Sequence, residues 1–203
     1  MKRFVIVLLA IALATFAFAE GFGMKAFVAG GFNEPGLIGT GALAYNHNTT
    51  GHGFDIKLGA RKPLGDFFEL PSYLPLTAQV ALSYYRQGQK GSGEVLNAVG
   101  LNIDALYCLD EIIDIPFVDV SPFLGLQYNA EIYETFSAHL LGLQLGAIAG
   151  YDLSDLVVEG LGVELTLAEV FNFDVSGSFA GRGGQAAVGM AYINVGVTYA
   201  FEF

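Results

Sequence analysis

The stretch "YINVGVTYAFEF" (192–203) alternates large apolar residues with small or polar ones up to its last position. Its apolar positions are Ile193, Val195, Val197, Tyr199, Phe201 and Phe203. Successive side chains of a β-strand point to opposite faces, so a repeat of two residues indicates a strand with one apolar face. This stretch therefore predicts a strand that is apolar on one side and small or polar on the other.

The same alternation recurs along the rest of the chain. Counting the terminal stretch, ten segments show it, and glycine and amide residues are common between the apolar positions. Turn-forming stretches such as "NEPG" (33–36) and "QGQKGSGE" (87–94) separate the segments. Repeated alternation between turn signals predicts an all-β, antiparallel chain.

The composition is unusual for a protein in water. Apolar residues make up 53% of the chain and charged residues 14%, whereas soluble domains average roughly 45–50% and 25%. The longest uncharged stretch, 183–201, contains glycines and polar residues, and its apolar residues step by two rather than in a helical pattern. In hydrocarbon, only a closed β-barrel lets strands satisfy every backbone hydrogen bond. These features together favour a transmembrane barrel.

The two faces of the predicted strands differ in composition. Large aliphatic residues dominate one face, and six tyrosines lie near segment ends: Tyr45, Tyr84, Tyr107, Tyr128, Tyr151 and Tyr199. Membrane barrels place aromatic girdles at both interfaces of the bilayer. The alternative is a soluble secreted or periplasmic β-barrel that binds an apolar ligand, with its aliphatic face turned inward and its amides outward.

The N-terminal residues predict export. Lys2 and Arg3 precede an apolar run that ends in Ala17-Phe18-Ala19, the pattern of a cleaved signal peptide over residues 1–19. The remaining residues, 20–203, form a single barrel domain with seven cations, 20 acidic residues and a net charge of −13. This charge argues against nucleic acid as a partner. A single cysteine, Cys108, excludes an internal disulfide.

The C-terminal stretch resembles the last strand of bacterial outer-membrane β-barrel proteins of the small porin-like and OmpA-like class. That resemblance implies an assembly signal read by the barrel-assembly machinery, carried by Val195, Val197, Tyr199, Phe201 and Phe203. It also implies an outer-membrane location, with outer-membrane lipid around the barrel.

The alternation is compatible with two strand counts. We favour ten strands, with eight as the alternative. The count of eight treats residues 62–76, 108–117 and 151–156 as periplasmic turns, whereas the count of ten places these acidic connections outside the cell. Residues 157–180 decide between them, because one long strand and a tight hairpin give the same alternation.

The polar face of the strands predicts the lining of the barrel lumen. Its main candidates are Lys25, Asp55, Lys57, Arg61, Asp104, Gln127, Gln144 and Glu164, joined by Gln79, Asn102 and Glu202. Buried opposite charges in a narrow lumen must pair or hydrate. We interpret these residues as a network that plugs and stiffens the barrel. The alternative is a narrow polar path for ions or small solutes, with a modest preference for cations.

No catalytic, metal or cofactor site is predicted. Ser137 and His139 resemble the His-x-Ser pair of barrel lipid A deacylases, but in the reverse order. Asp110, Glu111, Asp114 and Asp119 cluster without the spacing of a calcium loop. Neither pattern supports an enzyme or a metal protein, and the oligomeric state stays open.

Overall fold

The chain forms a closed antiparallel barrel of eight strands. Our computed structural model describes residues 24–35, 50–89, 95–113, 117–132, 137–177 and 189–201. The strands are β1 (Lys25–Pro35), β2 (Thr50–Pro63), β3 (Leu76–Gln89), β4 (Val95–Tyr107), β5 (Asp119–Ile132), β6 (Ser137–Asp152), β7 (Leu161–Gly177) and β8 (Gly189–Ala200). Each strand pairs with its neighbour in sequence, and β8 pairs with β1 to close the sheet. Across the described ranges, no helix is long and apolar enough to cross a membrane.

The expectation of ten strands was wrong, and the alternative of eight is correct. Residues 161–177 form the single strand β7 rather than a hairpin. A register shift against Leu141 and Gly142 of β6 leaves Phe173 as an extra residue, a β-bulge that interrupts the pairing without ending the strand. One of the ten alternating segments, in which Leu37, Leu43 and Tyr45 share one parity, lies outside the described residues.

Three connections lie at the end of the barrel where β1 begins and β8 ends. We name them turn A (residues 64–75), turn B (108–118) and turn C (153–160), and we name this end the turn end. These are the connections that the count of eight assigned to the periplasm. Turns A and B each open with a short 3-10 helix, Leu64–Asp66 and Leu109–Glu111. The opposite end is the loop end.

Alternation along each strand separates an interior of polar residues and small apolar clusters from an apolar exterior. In β4, for example, the even-numbered residues are buried, and Val99, Leu101 and Ile103 are exposed. The soluble alternative required aliphatic residues inside and amides outside, and the observed sides are the opposite. The exterior is therefore an apolar wall.

Glycines on the inner face make room for polar side chains of the neighbouring strand. Asp104 of β4 pairs with Gly125 of β5, and a Cβ atom built on Gly125 would lie 2.0 Å from Asp104 Oδ1. Gly31 and Asn194 repeat the arrangement between β1 and β8, where a Cβ would lie 2.5 Å from Asn194 Oδ1. The inward glycines thus let carboxylates and amides lie flat across adjacent backbone.

Aromatic residues mark both edges of the apolar wall. Tyr107, Tyr151 and Tyr199 lie near the turn end, and Tyr84 and Tyr128 lie toward the loop end, while Tyr45 is outside the described residues. Tyr84 pairs with Val99, eight residues along β4 from Tyr107, which is roughly 27 Å of strand at about 3.4 Å per residue. At the usual strand tilt of about 35–45°, this length spans about 20 Å of height, close to the apolar band of transmembrane barrels, about 25 Å tall.

Candidate functional site

A layer of charged and amide side chains crosses the barrel lumen. Arg61 of β2 donates from Nη1 to Glu164 Oε2 of β7 at 2.5 Å and from Nη2 to Glu164 Oε1 at 2.9 Å. Arg61 Nε also donates to Gln79 Oε1 of β3 at 2.6 Å. The two charged side chains are only 9% and 2% exposed. A two-pronged geometry of this kind is the strongest way to pair a guanidinium with a carboxylate.

The same network continues around the barrel from Gln79. Gln79 Nε2 donates to Asp104 Oδ2 of β4 at 2.7 Å, and Gln144 Nε2 of β6 donates to Asp104 Oδ1 at 2.6 Å. The Tyr192 hydroxyl of β8 then donates to Gln144 Oε1. These hydrogen bonds form one continuous series of side chains, which we call the lumen layer. In order, its members are Glu164 (β7), Arg61 (β2), Gln79 (β3), Asp104 (β4), Gln144 (β6) and Tyr192 (β8).

Two aromatic rings support the cations of this region. Lys57 Nζ lies 3.2 Å from the centroid of the Tyr192 ring. The Arg61 guanidinium carbon lies 4.4 Å from the centroid of Phe27, which is buried on the inner face of β1. A cation over an aromatic face is stabilised most where water is excluded. These rings therefore offset part of the cost of burying the two charges.

The lumen layer separates an open cavity at the turn end from the rest of the described interior. On its turn side lies a cavity of about 370 Å³, which opens at the turn end and which we call the vestibule. Arg61 and Glu164 line the vestibule, and they also line a second cavity of only about 10 Å³ inside the layer. A space of ~10–15 Å³ holds about one water molecule. Passage through the layer would require its side chains to move.

Several polar atoms on the loop side of the layer accept no hydrogen bond from the protein. They include Asp55 Oδ1, Asn102 Oδ1 and Gln127 Oε1. The other oxygen of Asp55 accepts from Asn194 Nδ2 at 2.6 Å, and Gln127 Nε2 donates to Asn129 Oδ1 at 3.2 Å. Buried acceptors of this kind are usually satisfied by bound water. The loop side of the lumen therefore holds buried acceptors beside a cluster of buried apolar and aromatic side chains, which includes Leu96, Val170 and Met190.

The structure places the sequence candidates at different depths. Asp55, Lys57, Arg61, Asp104, Gln127, Gln144 and Glu164 are buried inside the barrel, as are Gln79 and Asn102. Lys25 is exposed at the mouth, where it lines the vestibule. Glu202 lies outside the described residues. Of the eight main candidates, Arg61, Asp104, Gln144 and Glu164 meet in the lumen layer.

Sequence reasoning missed the aromatic members of this site. Tyr192 and Phe27 were not among the candidates, because aromatic residues were assigned to the outer face. The signal was present in the alternation, since Tyr192 shares the parity of the buried Asn194 and Thr198. Parity would have placed Tyr192 inside.

His139, the histidine of the Ser137 and His139 pair, faces away from the lumen. His139 is exposed on the outer wall, where its Nδ1 lies 2.6 Å from the Tyr128 hydroxyl and the two rings stack. The side chain of Ser137 is not among the described ones. Asp110 and Asp119 line the vestibule. In the part of the chain that the structure describes, no group of three or more His, Cys, Asp or Glu residues is placed to hold a metal ion.

From Ile193 onward, the apolar residues at odd-numbered positions of the terminal strand face outward. Val195 and Val197 are exposed on the wall, and Tyr199 packs edge-on against Phe201 with ring centroids 4.9 Å apart. Phe203 and residues 1–19 lie outside the described residues.

Comparisons with known proteins identify the fold. No protein-family model and no curated protein matches the chain. Among solved structures, a major outer membrane protein from Thermus thermophilus is similar, with a TM-score of 0.52 and 17% identity, covering 87% of this chain and 99% of that one. Neisserial surface protein A (NspA) matches with a TM-score of 0.50 and 14% identity, covering 88% of this chain and 97% of that one. The protein has the all-β fold of a bacterial outer-membrane barrel.

Proposed function

We propose that this protein is an integral outer-membrane barrel with a structural role and a lumen that is closed at rest. Two features support membrane insertion, namely the fold and the apolar exterior bounded by tyrosines. Because the outer-membrane barrels in the comparison are under 20% identical to this chain, the closed lumen is argued from this chain's own residues.

The observation that carries the structural role is the lumen layer. Its hydrogen bonds join six of the eight strands, and the space left inside it is about 10 Å³. A buried network in which each charge has partners holds its strands in one arrangement. Such a layer stiffens the barrel and blocks diffusion through it.

Single-channel recording in a planar lipid bilayer tests this proposal. The refolded chain should insert and stay silent. As a matched comparison, Arg61→Ser with Gln79→Ser removes two long side chains of the lumen layer and should give discrete current steps. Steps of the same size from the unmodified chain would contradict a closed lumen. Lys62→Ser, which changes a cation at the end of β2 that is outside the layer, should be silent.

The second candidate is a narrow polar path through the barrel. The open vestibule and the acceptor atoms of Asp55, Asn102 and Gln127 favour it. Carbonyl and carboxylate oxygens suit cations better than anions. If the unmodified chain conducts, a reversal potential that shows cation preference, lost in Asp55→Asn, would establish this function instead.

The proposal extends to location, export and partners. We infer that residues 1–19 are a cleaved signal peptide, that the turn end faces the periplasm, and that outer-membrane lipid surrounds the wall. The barrel-assembly machinery would read the apolar positions of 195–203 during insertion. Removal of Phe203 should then sharply lower the amount of folded barrel in outer-membrane fractions, and a normal yield would contradict the assembly signal. No catalysis, cofactor or nucleic-acid partner is part of this proposal.

A further inference from the structure

The three turns of the turn end expose an unusual number of large apolar side chains. These are Phe67, Phe68 and Tyr73 in turn A, Ile112, Ile113 and Phe117 in turn B, and Leu156, Val157 and Val158 in turn C. Their exposures run from 45% to 82%. Turns are usually built from glycine, proline and small polar residues. Apolar side chains shared by all three turns therefore indicate a surface that another apolar phase covers.

These side chains avoid the vestibule. Among the described turn residues, those that line it are Cys108, Asp110, Ser154 and Gly160, and none of the nine apolar residues does. Asp152 at the end of β6 also lines it and accepts hydrogen bonds from the backbone and hydroxyl of Ser154. The turns thus place polar groups toward the mouth of the barrel and their apolar residues elsewhere.

Turn A is attached to the outer wall rather than to the mouth. Tyr107 lies on the outward face of β4, since its neighbour Leu106 is buried inside. Its hydroxyl donates to the backbone carbonyl of Tyr73 at 3.0 Å. This bond places turn A beside the edge of the apolar wall, so its exposed rings continue that wall.

The turns are spread around the barrel. They join β2 to β3, β4 to β5 and β6 to β7, so they alternate around the closed sheet. A single protein partner covers one contiguous patch, whereas a lipid layer surrounds the barrel on all sides. The arrangement fits lipid better than it fits one docked protein.

The charges of the turns restrict which surface can cover them. The described charged residues of turns A, B and C are all acidic: Asp66, Glu69, Asp110, Glu111, Asp155 and Glu159. Two cations lie near the turns: Lys62 pairs with Asp66 at 2.9 Å, and Lys25 lies at the mouth of the vestibule. A second copy docked turn end to turn end would bring acids together, and an anionic lipid surface would repel them. Zwitterionic phospholipids carry an ammonium group that suits these carboxylates.

Phe117 supplies an independent sign of function in turn B. It is the only non-glycine residue in the described chain with positive φ, at 72°, and it is also the most exposed of the large apolar residues, at 82%. A bulky residue is strained in this conformation, and such strain is concentrated at functional positions.

We propose that turns A, B and C lie in the headgroup–acyl boundary of a zwitterionic phospholipid leaflet and anchor the turn end of the barrel there. The apolar side chains enter the acyl region, and the carboxylates meet the ammonium groups of the lipid. This inference rests on the proposed membrane insertion and adds the lipid chemistry of one end of the barrel.

Tryptophan fluorescence provides the test, because the chain contains no tryptophan. Phe68→Trp, Phe117→Trp and Leu156→Trp each place one probe in a turn. Leu143→Trp places a probe in the exposed middle of the wall, and Cys108→Trp places one on the vestibule side of turn B. Each full chain is reconstituted in phosphatidylcholine vesicles brominated either near the acyl carbonyl or near the middle of the acyl chain. Acrylamide serves as the aqueous quencher.

The expected pattern separates the inference from the proposed function. Leu143→Trp should be quenched most by bromine at mid-chain, which establishes insertion. The three turn probes should be quenched most by bromine near the carbonyl, and Cys108→Trp should respond to acrylamide. Turn probes quenched by acrylamide alone, with normal quenching at Leu143→Trp, would overturn the anchor and leave the membrane barrel intact. Loss of quenching at Leu143→Trp would overturn both.

Two further measurements test which molecule covers the turns. Replacing phosphatidylcholine with brominated phosphatidylglycerol should reduce quenching of the turn probes at least twofold, and equal quenching would overturn the role of the ammonium group. If the turn probes become protected from acrylamide only when the protein-to-lipid ratio rises, a second copy of the chain covers the turns. That result would contradict the lipid anchor.

Discussion

Arg61 and Glu164, 103 residues apart in sequence, form a two-pronged ion pair inside the barrel. The pair closes the inner end of the vestibule and starts the hydrogen-bond series that runs to Tyr192. Both charges are almost fully withdrawn from solvent. Their effect on stability therefore depends on whether both partners are present.

Removal of one partner should be costly. Arg61→Ala leaves Glu164 buried without its cation, and we expect a loss of about 3–5 kcal/mol in the free energy of unfolding. The measurement is urea unfolding in lipid vesicles, followed by the shift between folded and unfolded barrels on gels. Lys62→Ala is the control, since its pair with the half-exposed Asp66 should contribute only about 0–1 kcal/mol.

Replacement of both partners extends the same test. Arg61→Met with Glu164→Leu should recover most of the stability lost in Arg61→Ala, because no charge is then left unpaired. A double variant as unstable as the single one would show that the loss came from packing rather than from the ion pair.

Gly125→Ala should disrupt the lumen layer from the backbone side. The added Cβ would lie 2.0 Å from Asp104 Oδ1 and 2.4 Å from the carbonyl oxygen of Ile103, so strand or side chain must move. We expect a loss of at least about 2 kcal/mol, in the range of other strained or overpacked sites. Gly30→Ala, whose nearest neighbour would be 3.5 Å away, is the matched control and should fold normally. Equal stability of the two variants would contradict the close packing of Gly125 against Asp104.

Tyr192 has two separable contacts. Tyr192→Phe removes the hydroxyl that donates to Gln144 and keeps the ring under Lys57, whereas Tyr192→Leu removes both. We expect losses of about 1 kcal/mol for the first and a further ~1–2 kcal/mol for the second. Unfolding of both variants, each with and without the additional substitution Lys57→Met, measures the coupling free energy between Tyr192 and Lys57. If Tyr192→Leu is no worse than Tyr192→Phe, the ring does not stabilise Lys57.

The stability cost of an arginine on the apolar wall should depend on its depth in the bilayer. Leu143→Arg lies on the outward face of β6 and should cost roughly 2–4 kcal/mol near the bilayer midplane. His139→Arg lies on the same face, four residues closer to the loop end, and should cost no more than about 1 kcal/mol. The yield of folded barrel after dilution from urea into vesicles distinguishes them. Similar yields would be inconsistent with a lipid-facing wall.

The single cysteine reports the orientation of the barrel. Cys108 is half-buried at the vestibule and contacts Thr77 Oγ1 through its Sγ at 3.5 Å. If the turn end faces the periplasm, a membrane-impermeant thiol reagent should label it in cells with a permeabilised outer membrane and not in intact cells. Gly88→Cys combined with Cys108→Ser moves the thiol to the loop end, where a Cβ would meet open space. That variant should be labelled in intact cells, and the reverse pattern would invert the proposed topology.

The sequence alone determined the all-β class and the direction of many side chains along the strands. The direction of a side chain in a strand depends only on its position in a repeat of two, so local alternation was enough to place Lys57, Asp104 and Gln144 inside and Leu143 outside. It also pointed to a barrel, because an apolar wall without spanning helices leaves few other ways to satisfy the backbone.

Only the tertiary structure decided the number of strands and the partners in the lumen. The bulge at Phe173 and a hairpin would give the same alternating pattern in the sequence. For this reason the count of ten divided β7 into two strands. Arg61 pairs with Glu164, and Asp104 accepts hydrogen bonds from Gln79 and Gln144. These contacts depend on the register of strands that are far apart in sequence. Register is a property of closure of the whole sheet, and no local pattern contains it.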